Sequence, residues 1–191
     1  MEMALSPAAS AAAFRVLLDC MARPGRIGRL EGVSGIEGLY EATMGIILAL
    51  VDHTAPLHLE AELATPTACD AIRFATGARL LAKPGEATFA ITTGMRAKDM
   101  LPKLRQGSPE YPDNSTTLIV QCEALRLGPG VSLSGPGIKT THELHATGLQ
   151  EGFWPALNAI NQAGFPLGID VFLTSPGAVT AIARSTRIGV A

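Results

Sequence analysis

Charge is scarce in this chain: Asp, Glu, Lys and Arg together make up 17% of its 191 residues. So few charges poorly solvate a lone monomer, and the composition predicts that part of the surface is covered by a partner. Aromatic residues are rarer still, at 5%, which removes the stacking platforms of single-strand nucleic-acid binders. The formal net charge of −2 has the wrong sign for neutralising nucleic-acid phosphates. Long apolar runs are missing as well. The longest, Ile46 to Val51, falls far short of the roughly 18–20 residues of a membrane span, despite a mean hydropathy of +0.26. At the start, Met1-Glu2-Met3-Ala4 places an acid where a signal peptide carries basic residues, so a cytoplasmic protein is expected.

Other absences remove whole chemistries. The cysteines, Cys20, Cys69 and Cys122, form no Cys-x-x-Cys pair and read as small apolar fillers in a reducing compartment. Gly32-Val33-Ser34-Gly35-Ile36 misses the last glycine of a nucleophile elbow, so no hydrolase triad can be built on it. His142-Glu143-Leu144-His145 has a spacing of three where a zincin helix needs four, and it reads as a solvated loop rather than a metal site. His53 and His58 read as hydrogen-bonded surface histidines.

What is present is a mixed rhythm of helices and strands. Ser6-Pro7 looks like an N-cap followed by proline at the first helical position, and Pro24-Gly25 ends that helix. Phe14, Leu17, Leu18 and Met21 give it an apolar face. Leu39 to Val51 reads as a buried helix, Pro56 to Glu60 as a short strand, and Thr65-Pro66 as another helix start, with Ala68, Ile72 and Ala75 on one side. Leu80-Leu81 and Ala87 to Thr92 are strand candidates, Lys98 to Leu104 a brief helix, and Gln106 to Ser115 a surface loop. Leu118, Val120, Cys122 and Ala124 line one face of a strand, and Gly128-Pro129-Gly130 predicts a hairpin turn into Val131-Ser132-Leu133. A helix from about Glu151 to Gln162 and two strands split by Pro176-Gly177 complete the chain. The pattern predicts one α/β domain over residues 1–191, a mixed β-sheet with helices on both faces.

The candidate ligand contacts are few. Ser134-Gly135-Pro136-Gly137-Ile138 follows a strand and can offer backbone N–H groups to an anion, although a tight turn needing positive φ is the simpler reading of Gly135 and Gly137. Arg73 and Arg184 are the arginines to test for phosphate binding, with an ion pair to Asp52 or Asp170 as the structural alternative. Lys139 has no evident aspartate partner for a pyridoxal-phosphate ring.

Several segments, in this order, resemble the PhnH family. They are Phe14-Arg15-Val16-Leu17-Leu18-Asp19-Cys20-Met21-Ala22-Arg23-Pro24-Gly25, Leu50-Val51-Asp52-His53-Thr54-Ala55-Pro56, Ile72-Arg73-Phe74-Ala75-Thr76, Ala87-Thr88-Phe89-Ala90 and Thr117-Leu118-Ile119-Val120-Gln121. After them come Leu133-Ser134-Gly135-Pro136-Gly137-Ile138, then Phe165-Pro166-Leu167-Gly168-Ile169-Asp170 and Ala181-Ile182-Ala183-Arg184-Ser185-Thr186. The resemblance implies a fold like the large domain of pyridoxal-phosphate transferases, without the cofactor. It also implies a homodimer that joins PhnG, PhnI and PhnJ in a cytoplasmic carbon–phosphorus lyase core complex. With PhnL, that system moves a triphosphoribosyl group from ATP onto an alkylphosphonate, and radical cleavage of the carbon–phosphorus bond belongs to PhnJ. No catalytic residue, metal or cofactor is carried over to this sequence. Ala183 departs from relatives that have proline before the arginine. The rival readings are an autonomous transferase holding phosphate with Arg73, Gly135, Gly137 and Arg184, and a pyridoxal-phosphate protein using Lys139.

Overall fold

In the computed structural model, which describes residues 5–189, two apolar layers pack on opposite faces of one five-stranded sheet. The start at Met1–Ala4 lies outside the described residues. Helix α1 (Pro7–Ala22) begins where the Ser6 hydroxyl accepts from the Ala9 amide at 3.2 Å. Helix α2 (Glu41–Leu50) follows, then strand β1 (Leu57–Leu59) and helix α3 (Pro66–Thr76). The Thr65 hydroxyl caps α3 by accepting from the Ala68 amide at 3.1 Å. Both helices start Ser/Thr-Pro because the hydroxyl satisfies a free amide and proline has none to lose.

Strand β2 (Phe89–Thr93), the short helix α4 (Ala97–Met100) and strand β3 (Thr117–Gln121) come next. A long pair, β4 (Ala124–Ser134) and β5 (His142–Thr147), precedes helix α5 (Phe153–Gly164) and strands β6 (Val171–Ser175), β7 (Ala178–Ile182) and β8 (Arg187–Gly189). The main sheet has the order β1-β2-β3-β6-β7, parallel except for the antiparallel β7. It is a mixed sheet with helices, as the interleaved pattern predicts. Side-chain alternation sorts its faces: Ile119 and Phe172 join the layer of α1, α2 and α3, whereas Leu118, Val120, Val171 and Leu173 join that of α4 and α5. A second sheet, β5-β4-β8, closes the α5 side.

Three local expectations need correction. Gly128-Pro129-Gly130 is not a hairpin turn but a bulge inside β4: Leu127 and Val131 both pair with Leu144. Glycines suit either role, and here β5 supplies pairing on both sides of the bulge. The true hairpin turn lies between Ser134 and His142. His142-Glu143-Leu144-His145 is therefore strand β5, with Leu144 buried, rather than a solvated loop. On α1 the inward face is Ala13, Leu17 and Cys20, while Phe14 and Leu18 are 48% and 57% exposed.

A buried polar knot fastens α2 to the carboxyl ends of β3 and β6. The Gln121 Oε1 accepts from the Tyr40 amide and the Thr43 hydroxyl, each at 2.8 Å, and its Nε2 donates to the Gly38 carbonyl at 2.8 Å. Thr43 and Thr174 share a further 2.8 Å hydrogen bond. The arrangement satisfies an amide at the start of α2 that no side-chain cap reaches. Gln121→Leu leaves those donors unpaired, and a loss of about 2 kcal/mol is expected in the urea unfolding free energy.

Candidate functional site

Helix α1 ends because Pro24 carries no N–H and Gly25 turns at φ +84. The turn is held from both sides. The Gly25 amide donates to the Ala181 carbonyl of β7 at 3.2 Å, and the His142 Nδ1 of β5 lies 2.8 Å from the Pro24 carbonyl. A carbonyl only accepts, so Nδ1 carries the proton in this contact. A Cβ on residue 25 would come within 2.8 Å of Leu133 Cδ1 and 3.3 Å of His142 Cβ. Only glycine lets the turn lie this close to the hairpin.

Beside this turn opens a cleft of about 630 Å³, lined among others by Arg23, Arg26, Ile27, Leu127, His142 and Glu143. Arg23 and Arg26 both pair with Asp19 of α1, the second at 2.9 Å. One carboxylate thus anchors two guanidiniums and leaves most of their N–H donors free of it. Leu127 is 70% exposed, immediately before the β4 bulge.

The residues singled out from sequence go to different places. Arg73 lies on the exposed side of α3, 3.4 Å from Asp70, and does not meet Asp52. Asp52 instead accepts from the Thr54 hydroxyl and amide, which hold its carboxyl below the ordinary value. Arg184 does pair with Asp170, through both Nε and Nη2, and is only 15% exposed. Its remaining donors reach the Pro112 carbonyl at 2.5 Å and the Ser115 hydroxyl at 2.6 Å. Gly135 and Gly137 lie in the β4–β5 turn with φ +131 and +82. A Cβ at Gly137 would collide with the Ala22 carbonyl, so this turn rests on the end of α1, next to the cleft.

Lys139 is exposed in that turn. His58 is 9% exposed rather than a surface residue, its Nδ1 2.9 Å from the Leu81 carbonyl. Among the described residues no group of three or more His, Cys, Asp and Glu side chains is gathered for a metal. Burial pushes the Cys122 thiol up to about 12 and raises that of Cys20, so both remain protonated fillers at neutral pH. Sequence reasoning passed over Arg23 and Arg26, and weighed His142 only as a metal ligand, which it set aside. Arg23 stands inside the first block quoted for the family resemblance, and Arg26 directly follows its final Pro24-Gly25.

Residues 3–189 match the family described as "Bacterial phosphonate metabolism protein (PhnH)". The chain belongs to the PhnH family. It is 40% identical over 176 residues, 92% of this chain and 88% of the relative, to the "Alpha-D-ribose 1-methylphosphonate 5-triphosphate synthase subunit PhnH" of Rhizobium meliloti (strain 1021). It is 31% identical over 178 residues, 93% of this chain and 85% of the relative, to the "Putative C-P lyase subunit protein HtxG" of Stutzerimonas stutzeri. Two of the PhnH-like blocks now have physical roles. In Phe165 to Asp170, Gly168 leaves room for Asn161, whose side chain brackets Ile169 at 2.8 and 3.0 Å, and Asp170 receives Arg184. In the first block, Arg23 and Gly25 line the arginine cleft. No helix among the described residues is long and apolar enough to cross a membrane.

Proposed function

We propose that this PhnH-family chain is a single-domain, non-autonomous subunit in bacterial phosphonate catabolism. It assembles as a homodimer with PhnG, PhnI and PhnJ and supports transfer of a triphosphoribosyl group from ATP to an alkylphosphonate. What supports the subunit role is a relative that is itself named a synthase subunit. The observation that carries it in the geometry is the apolar stripe on α1. Phe14 and Leu18 stand exposed one turn apart, beside Ala11 and Ala49. Large apolar residues at i and i+4 on a helix form a continuous patch of the kind a second surface covers. A likeness to the large domain of pyridoxal-phosphate transferases belongs to the same proposal, supported by the parallel strands β1, β2, β3 and β6 with helices on both faces.

In this reading Arg184 and the Gly135–Gly137 turn hold the fold, and Arg73 is a solvated helix residue. Co-expression of a tagged copy with PhnG, PhnI and PhnJ tests the role. All four are expected to elute together, and the isolated chain should run as a dimer; a lone monomer that retains none of the three refutes it. Phe14→Ser combined with Leu18→Ser should weaken self-association by about a hundredfold in sedimentation equilibrium, since buried anchors dominate such interfaces.

A further inference from the structure

We propose that the cleft between the end of α1 and the β4–β5 hairpin is a ligand site. It takes a small molecule that carries a phosphate or phosphonate group and an apolar part. Each part follows from a wall. Arg23 and Arg26 share Asp19, so the carboxylate fixes their positions without consuming all of their donors. Two guanidiniums aimed from one anchor match the several oxygens of a tetrahedral anion, which a lone carboxylate ligand would only half use. Glu143 pairs with Ser132 and so presents its side chain on the opposite face of β5 from His142, whose register partner is Leu133; the carboxylate therefore leaves the arginine charge uncancelled there. Thr141 also lines the cleft. Ile27, Gly128 and the exposed Leu127 give it an apolar lining.

His142 belongs to the same lining. With Nδ1 engaged by Pro24, its Nε2 is the ring atom left for a ligand. The walls are fixed rather than adaptable. Gly25 is wedged against Leu133 and His142, and Gly137 against Ala22, so the turn and the hairpin cannot slide independently. A volume of about 630 Å³ suits a metabolite of ordinary size. The chemistry is shared by sugar phosphates, nucleotides and aminoalkylphosphonates, and the experiment separates them.

The full chain is titrated calorimetrically with ribose 5-phosphate, ATP, 2-aminoethylphosphonate and inorganic phosphate. At least one of the three organic ligands is expected to saturate and to bind more tightly than phosphate; its identity names the source. Arg26→Ala should weaken that ligand and phosphate alike, by about tenfold or more, as the loss of a charge-assisted hydrogen bond does. Leu127→Ser, which removes apolar lining and no charge, should weaken the organic ligand and spare phosphate. Arg79→Ala, which removes an exposed charge on another part of the surface, should change neither. Circular dichroism checks that each variant is folded, and Arg26→Lys serves if Arg26→Ala is not. The proposal is overturned if none of the four ligands saturates, if a folded Arg26 variant binds as before, or if Leu127→Ser leaves the organic ligand unchanged. It stands apart from the subunit role: binding can persist when co-elution fails, and assembly can persist when binding fails.

Discussion

Arg184→Ala is expected to lower the melting temperature by about 5–10 °C, corresponding to about 2–3 kcal/mol for a chain of this length. The magnitude comes from what the side chain joins. The Asp170 carboxylate accepts from the Arg184 backbone amide at 2.7 Å and from its Nε at 3.1 Å. Nη1 and Nη2 then reach across to Pro112 and Ser115. One guanidinium thus ties the start of β6, the end of β7 and the loop before β3. Removing it leaves a mostly buried Asp170 carboxylate, 23% exposed, with a single backbone donor. Partial solvent access keeps the loss below that of a fully buried pair. Arg184→Lys keeps the charge but not the planar fork, and should recover about half of the stability at most. Arg73→Ala is the contrast: its partner Asp70 is 80% exposed, and the change should stay within about 0.5 kcal/mol. A scanning calorimetry series of the three variants gives the comparison. If Arg184→Ala melts like the parent, the clamp contributes nothing and the arginine is free for another partner.

How far the sequence discloses the fold depends on the range over which each signal acts. Helix starts at Ser6-Pro7 and Thr65-Pro66 are legible because hydroxyl caps and prolines act within one turn. The β6–β7 hairpin is equally local, with Pro176-Gly177 between strands whose register runs from Ser175↔Ala178 to Val171↔Ile182. Gly128-Pro129-Gly130 misleads because two glycines around a proline permit a turn or a bulge, and only the distant β5 decides between them. Phe14 and Leu17 are both apolar, yet the packing of α1 on α2 and β7 buries the second and leaves the first outside. Of the two ion pairs offered for the arginines, Arg184 with Asp170 forms; both residues stand in blocks that share the sheet edge near β6 and β7. The cleft stayed hidden because its charges come from α1 and its other wall from a hairpin more than a hundred residues later, as the Pro24–His142 contact shows. Spacing along the chain carries no record of such a meeting.

The turn beneath that cleft provides a sharper experiment, because the chain holds a matched control. Gly137 and Gly38 share the same φ of +82. A Cβ added at Gly38 meets nothing within 4 Å, whereas at Gly137 it would overlap the Ala22 carbonyl oxygen and approach Pro24 Cδ at 3.4 Å. Gly38→Ala therefore measures only the conformational cost of a side chain at positive φ, about 1 kcal/mol. Gly137→Ala adds a collision between two backbones, neither of which can swing aside as a flexible side chain does, and a loss of about 3 kcal/mol or more is expected. The excess over Gly38→Ala measures how strongly the contact between the hairpin turn and α1 resists being spread. Relief of the overlap requires the turn to lift from Ala22, which draws the β4–β5 wall away from Arg23 and Pro24. If urea unfolding instead finds the two substitutions equal, the turn yields without resistance. Glycine at 137 then reflects backbone conformation alone, and the hairpin is not what sets the width of the cleft.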